Sequence, residues 1–207
     1  GSEMCIRDRL YFMMGLPTET TEDLDGIADL AKKVVDAYFA VPRGERAKGL
    51  RVVCSASVFV PKPFTPFQWE PQDTQEMVRE KQSHLREKLH IKGVTFNYHE
   101  SDLSYLEACF ARGDRRMGQV LLRAYQKGCM LDGWTELFKY DMWREAFAEL
   151  GIDPAFYAYR RREKDEIMPW DVIDCGVTKE FLWREKEKAE KAQTTKDCRK
   201  GCNGCGL

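Results

Sequence analysis

The chain has 207 residues, of which 43% are hydrophobic and 32% charged, the composition of an ordinary globular protein with a real core. Its 33 lysines and arginines nearly balance its 34 aspartates and glutamates, so no broad basic face is expected and nucleic-acid binding is not indicated. No apolar run approaches the ~20 residues of a membrane helix, and no signal peptide is recognisable. We therefore expect a cytoplasmic protein without a membrane partner, whose eight cysteines serve metal binding or packing more than disulfides.

The first nine residues show no periodicity. Residues 2–9 (SEMCIRDR) resemble an out-of-frame translation of a sequencing adapter, so we interpret residues 1–9 as a non-native leader. On that interpretation the natural sequence begins near Leu10, in the middle of a protein, and Cys5 carries no role. A natural polar amino terminus is the alternative.

Residues 10–100 carry an α/β pattern. A short apolar run ends at Gly15, and Thr20 and Asp23 then occupy the capping-box positions of a helix. Three prolines within residues 61–66 end a later β-branched run, because proline cannot donate to a ladder. We predict strands at residues 10–14, 50–60 and 94–98, a helix after Thr20, and a helix at residues 74–89. This order predicts a parallel sheet with crossover helices.

Residues 101–193 are mainly helical in pattern, and a Cys-rich tail occupies residues 194–207. Glycines serve as helix ends, and Asp153 with Pro154 predicts a helix start. The predicted helices cover residues 102–111, 115–127, 141–150 and 178–192. Two or three buried strands are too few for a parallel sheet covered on both faces. The sequence therefore suggests the end of a larger barrel or open sheet.

The turn after the first strand is the most informative local feature. A glycine there lets another group approach the backbone, and ligands of α/β folds bind at the carboxyl ends of the strands. Residues 13–20 (MMGLPTET) resemble the late-strand motif of radical S-adenosylmethionine (SAM) barrels, usually a Gly-Leu/Phe-Pro-Gly-Glu-Thr turn. The sequence departs from that motif at Thr18, where many relatives have glycine. Residues 57–67 (SVFVPKPFTPF) are similar to the next strand of that family and its proline turn.

Further stretches extend the resemblance over most of residues 10–207. They resemble the downstream region of a radical SAM subgroup with an amino-terminal cobalamin-binding-type domain and a poorly defined reaction. These stretches are residues 111–118, 132–134, 169–170 and 176–184.

The resemblance implies the carboxy-terminal part of a partial (β/α)6 radical SAM barrel, followed by a mainly helical region. It implies SAM and a [4Fe–4S] cluster as cofactors, with the three cluster cysteines in an early loop that this chain lacks. A 5′-deoxyadenosyl radical would then abstract hydrogen from an unidentified substrate. Cobalamin is possible in the full-length protein, and the implied partners are the missing amino-terminal part and a reductant protein. No catalytic residue is expected in this fragment, which alone would be inactive.

The same resemblance implies which residues border the SAM adenine, partly through backbone contacts. They are Gly15, Leu16, Pro17, Glu19, Ser57 and Pro61.

Cys198, Cys202 and Cys205 form a C-x3-C-x2-C pattern among glycines, a setting that favours soft metals or iron–sulfur clusters. Since the pattern follows a helix and ends the chain, we interpret it as an accessory iron–sulfur or zinc site. The fourth ligand would be Cys175 or a cysteine beyond Leu207. One alternative makes this tail the SAM cluster site itself. Another, of a different functional class, is a non-catalytic metal-binding helical module.

For the remaining polar, aromatic and cysteine residues, structural roles are favoured over functional ones. His99 and Glu100 could face a substrate space, although surface or core roles are favoured. Asp114, Arg115 and Arg116 are expected to cap and solvate a turn, with an anion clamp as the alternative. Residues 186–191 predict a solvated helix face. Buried packing is expected for Trp134, Trp143, Trp170 and Trp183 and for Cys54, Cys109 and Cys129.

Overall fold

The computed structural model describes residues 6–206, with side chains from Asp8 onward, and divides into two compact units. The first unit comprises the chain up to Phe59 together with Asp73–Ser101. The second comprises Val60–Gln72, which contains the proline-rich segment, and the residues from Asp102 on. Residues 1–5 of the expected leader, including Cys5, lie outside the described residues.

The first unit contains a parallel three-stranded sheet, which confirms the mixed α/β prediction. Its strands are β1 (Ile6–Met14), β2 (Leu50–Val58) and β3 (Val94–Tyr98), in the order β1-β2-β3. Strand β1 begins four residues before the predicted start, and Asp8 and Arg9 in that extension are exposed. The hydrogen bonds between strands come from the backbone, so polar residues such as Asp8 and Arg9 can also extend an edge strand.

Two crossover helices, α1 (Thr21–Ala40) and α2 (Gln75–Lys88), connect the strands. The predicted capping box is present, because Thr20 Oγ1 accepts from the Asp23 N–H and Asp23 accepts from the Thr20 N–H. Asp25 of α1 lies 2.7 Å from His84 Nε2 and 3.0 Å from Lys88 Nζ of α2, so the helices are neighbours.

One core joins both helices to one face of the sheet. The burial of β2 alternates strictly, so every second side chain points toward the helices. The core includes Met14, Leu24, Ala31, Val52, Cys54, Ala56, Val58, Val78 and Leu85. Both crossovers therefore cover the same face.

The second unit is helical, as predicted, and α3 begins at its boundary. The helices are α3 (Ser101–Ala111), α4 (Met117–Gln126), α5 (Tyr140–Glu149), α6 (Pro154–Ala158) and α7 (Lys179–Glu190), with a 3-10 turn at Cys198–Lys200. Asp153 caps α6 and Pro154 is its first residue, which confirms that start signal. Within residues 6–206, none of the helices combines the length and the apolar character that a membrane crossing requires.

Lys186 contradicts the prediction of a fully solvated face at residues 186–191. It is 4% exposed, and its Nζ lies 3.1 Å from Glu70 and 2.5 Å from Glu190. Glu70 is itself 2% exposed and pairs with Arg161 at 2.7 Å. Charge periodicity along a helix cannot reveal that one lysine meets a buried carboxylate from a distant segment.

The aromatic and cysteine predictions are confirmed at most positions. Trp143 and Trp170 are buried, and Cys54, Cys109 and Cys129 are buried as expected. The prediction of buried packing is wrong for Trp134, which is 62% exposed. Trp69 is fully buried, and the sequence did not predict this. In the turn before α4, Arg116 pairs with Asp114 at 2.7 Å and donates its backbone N–H to Asp114 Oδ1. Arg116 is the N-cap residue of α4 and makes no side-chain cap hydrogen bond, so the pair stabilises the turn before the helix.

Candidate functional site

The turn at the carboxyl end of β1 is built around Gly15. Its φ of +82° is a left-handed conformation that only glycine adopts at low cost, and a β-carbon there would lie 2.9 Å from Asp73 Oδ2. The Gly15 N–H donates to both carboxylate oxygens of Glu19, at 3.0 and 2.9 Å. The Glu19 N–H donates to the Leu16 carbonyl at 3.0 Å. The glycine and the glutamate of the motif therefore fix one compact turn.

A cation holds this turn against α2. Lys81 Nζ lies 2.7 Å from Glu19 Oε1 and 2.7 Å from Asp73 Oδ2, and the Glu19 side chain is only 6% exposed. Burial opposes the charge on Lys81, but the hydrogen bonds to Asp73 and Glu19 outweigh it and raise the pKa of this ammonium group. The carboxylate of Glu19 is thus fully engaged in positioning the turn.

Thr18 is strained within the same turn. Its φ is +71°, a left-handed value that is rare for a β-branched residue. This is the position at which residues 13–20 differ from the glycine of the motif that they resemble. The departure therefore has a physical cost, because a β-carbon crowds the backbone in this conformation.

The face of the sheet opposite the helices forms an open cleft of about 430 Å³. Tyr11 and Ser55 are paired across β1 and β2, and Ser55 and Asn97 are paired across β2 and β3. The cleft is lined by hydroxyl and amide groups and by aromatic side chains, including Tyr11, Ser55, Ser57, Asn97 and His99. It can bind a polar, uncharged or aromatic group along the strands.

The structure brings most of the predicted cofactor residues to one end of the first unit. Gly15, Leu16, Pro17 and Glu19 form the turn that follows β1 directly. Ser57, paired with Met13, lines the cleft and donates its hydroxyl to the Phe12 carbonyl at 3.3 Å.

Pro61 is placed differently from the other predicted cofactor residues. It is among the most deeply buried side chains and belongs to the second unit. Its burial leaves almost none of the side chain accessible to a ligand.

Several residues of the site were not predicted from the sequence. Lys81 and Asp73 carry no local signal, because their role depends on contacts with a turn far away in the chain. Ser55 and Asn97 could have been found, since alternate residues of a strand share a face and Ser57 was already a candidate. His99 was considered as a residue facing the substrate space, and it lines the cleft.

The cysteine tail is exposed at Cys198 and Cys202 and half-buried at Cys205. In the described part of the chain, no three or more His, Cys, Asp or Glu side chains stand close enough together to hold a metal ion. The tail is nevertheless tied to the second unit, because the Thr178 N–H donates to the Cys205 carbonyl at 2.8 Å. Arg184 also donates to the Asn203 carbonyl at 2.6 Å.

Comparisons with known proteins show a distant similarity to a longer protein. No protein-family model matches the chain, and no solved structure matches it significantly. The chain is similar to the uncharacterized protein MJ0966 of Methanocaldococcus jannaschii, with 29% identity over 140 residues. The aligned region covers 63% of this chain and 29% of that relative, so the match spans less than a third of the longer protein.

Proposed function

We propose that this chain is the carboxy-terminal part of a cytoplasmic radical SAM enzyme, whose first unit supplies the last strands of a partial (β/α)6 barrel. The main support for the proposal is that both crossover helices lie on the same face of the sheet. In a β/α barrel the helices form an outer ring and the other face of the strands lines the interior. A doubly wound sheet instead carries helices on both faces. Here α1 and α2 share one core on one face, and the opposite face is an open cleft.

The turn at residues 15–19 supports the same proposal, because it lies at the strand ends where such folds bind their ligands. Gly15, Leu16 and Pro17 would border the adenine through their backbone, while Glu19 and Lys81 keep the turn in shape. Ser57 would offer its hydroxyl from the cleft. When bound, SAM and a reduced [4Fe–4S] cluster would supply the 5′-deoxyadenosyl radical that abstracts hydrogen from a substrate.

This chain's own contribution is orientation of the bound groups. The cleft presents neutral hydroxyl and amide groups, which can fix a polar ligand without adding a charge beside it. The longer protein would supply the cluster cysteines and the binding sites for a reductant protein and any cobalamin. Alone, the chain is therefore proposed to be inactive.

The coding sequence upstream of Leu10 tests this proposal first. It should encode earlier β/α units and a C-x3-C-x2-C motif in the loop after a strand. Absence of any cysteine triplet from the upstream region would refute the proposal.

A non-catalytic metal-binding module is the second candidate, favoured by the way in which the cysteine tail is tied to the helical unit. The two candidates differ in the first unit. In an enzyme the missing strands would close the barrel around the face that here exposes Tyr11 (69%) and Met13 (46%). The isolated chain leaves this apolar surface open, so it should self-associate. Sedimentation of the whole chain separates them, since a stable monomer favours the module.

A further inference from the structure

Two Cys-Gly steps of the second unit pack directly against each other. Gly176 and Gly206, which follow Cys175 and Cys205, have φ values of +81° and +110°. A β-carbon at Gly206 would lie 2.7 Å from the Gly176 carbonyl oxygen, so glycine is required for this approach. The nearby hydrogen bond from the Thr178 N–H to the Cys205 carbonyl holds the two segments side by side.

We propose that Cys175 joins Cys198, Cys202 and Cys205 in a four-thiolate Zn²⁺ site. The paired Cys-Gly steps bring the loop before α7 to the tail, so Cys175 supplies the ligand that the three-cysteine pattern lacks. No three of these side chains stand within metal-binding distance of one another in the described residues, so the site forms when the exposed side chains of Cys175, Cys198 and Cys202 turn toward Cys205 as the ion binds.

The turn around Cys202 already provides a partner for its sulfur. The Gly204 N–H donates to Cys202 Sγ at 3.4 Å, and outer-shell hydrogen bonds of this kind orient the ligands of a metal site. Asn203 Nδ2 donates to the Lys196 carbonyl at 2.8 Å, which closes a loop containing the 3-10 turn at Cys198–Lys200. Cys198 and Cys202 are thus held in one closed loop.

Zinc fits this setting better than an iron–sulfur cluster. A closed tetrahedral site of four thiolates with Zn–S bonds of about 2.3 Å is the usual structural zinc centre. One ion needs less enclosing chain than a cluster, and three of the four cysteines lie at the surface. Zinc is also redox-inert, so exposure to solvent does not threaten it.

The bound ion would link the tail to the loop before α7. All four cysteines lie in the second unit, so the zinc site stands or falls independently of the proposed radical chemistry.

Metal analysis of the whole chain, purified under reducing conditions without chelators, tests the proposal. We expect one Zn²⁺ per chain, and Co²⁺ substitution should give the charge-transfer bands of four thiolates. Loss of an outer-shell partner already weakens metal binding by about 10- to 100-fold. We therefore expect Cys175→Ser to weaken Zn²⁺ binding by at least about 100-fold in competition with a chromophoric chelator. Cys129→Ser, which removes a thiol outside the tail, should leave the affinity unchanged.

A second measurement keeps the proposal testable if a variant misfolds. In the wild-type chain, Zn²⁺ should protect Cys175 from alkylation, as read by mass spectrometry, and a chelator should restore its reactivity. Cys175 that reacts equally with and without Zn²⁺ would overturn the proposal. Undiminished Zn²⁺ affinity of Cys175→Ser, iron with sulfide at the site, or no bound metal would each overturn it as well.

Discussion

Glu19 holds the backbone N–H of Gly15 with both of its carboxylate oxygens, at 3.0 and 2.9 Å. The same carboxylate pairs with Lys81 at 2.7 Å, so one buried side chain joins the end of β1 to α2. The spacing of Gly15 and Glu19 in this chain therefore has a structural consequence. Glutamate four residues after the glycine reaches back and satisfies an N–H that would otherwise lack a partner.

Removal of this carboxylate should destabilise the first unit. In Glu19→Ala the Gly15 N–H and the Lys81 ammonium group lose an acceptor in a largely buried place, which should cost about 2–3 kcal/mol. The measurement is the urea midpoint by far-UV circular dichroism. The matched control is Glu22→Ala, an exposed position in the first turn of α1 that should cost less than about 1 kcal/mol. Equal effects of the two substitutions would contradict the role of Glu19.

Replacement of Thr18 by glycine should stabilise the chain. At a φ of +71° the threonine side chain costs about 1–2 kcal/mol, and part of this gain is offset by the greater flexibility of glycine in the unfolded state. We expect a net gain of about 0.5–1 kcal/mol in the free energy of unfolding. Thr21→Gly, at the first position of α1, should instead destabilise. Destabilisation by both substitutions would show that Thr18 is not strained.

The second unit should become less stable to unfolding when Lys186 is removed from its buried ion pair. In Lys186→Met, buried Glu70 keeps its ion pair with the more exposed Arg161 but loses the one with the buried lysine, which should cost about 2–4 kcal/mol. All five tryptophans lie in the second unit, so tryptophan fluorescence during urea unfolding reports this unit. Exposed Lys191→Met should change the stability by less than about 0.5 kcal/mol. A small effect at Lys186 would mean that water reaches Glu70.

Asp114 should give the second unit an acid-dependent stability. The hydrogen bond from Arg116 lowers the pKa of Asp114 from 3.8 to about 2. Because the folded-state pKa is depressed, the stabilisation is present above about pH 4 and is lost as the pH falls toward 2. Screening of this partly exposed pair reduces the contribution to about 1 kcal/mol.

The matching variant is Asp114→Asn, measured by tryptophan fluorescence at several pH values. Wild type and variant should differ by about 1 kcal/mol from pH 7 to pH 5 and converge between pH 4 and pH 2. A difference that stays constant down to pH 2 would show that the charge of Asp114 is not its cause.

Local signals in the sequence predicted the elements well. The capping box of Thr20 with Asp23 and the start of α6 at Pro154 depend on neighbours within a few residues, so the chain itself carries them. The parallel sheet was also predictable, since strand and helix patterns alternate. The early start of β1 was missed because backbone pairing at a sheet edge makes little demand on side chains.

Long-range pairs were not predictable in this way. Lys81 meets Glu19, and Lys186 meets Glu70, only because distant segments pack together. A charged residue in a helical pattern gives the same local signal whether it faces water or a buried carboxylate. The side-by-side placement of Cys175 and Cys205 depends likewise on the folding back of the tail.

The reaction of the complete protein with SAM tests the proposed function most directly. The full-length gene product, purified without oxygen and reconstituted with iron and sulfide, should hold a [4Fe–4S] cluster and convert SAM to 5′-deoxyadenosine when a reductant is added. Alanine in place of an upstream cluster cysteine should abolish this product, while the Zn²⁺ content of the tail stays unchanged. A fully reconstituted, reduced protein that forms no 5′-deoxyadenosine would contradict the account.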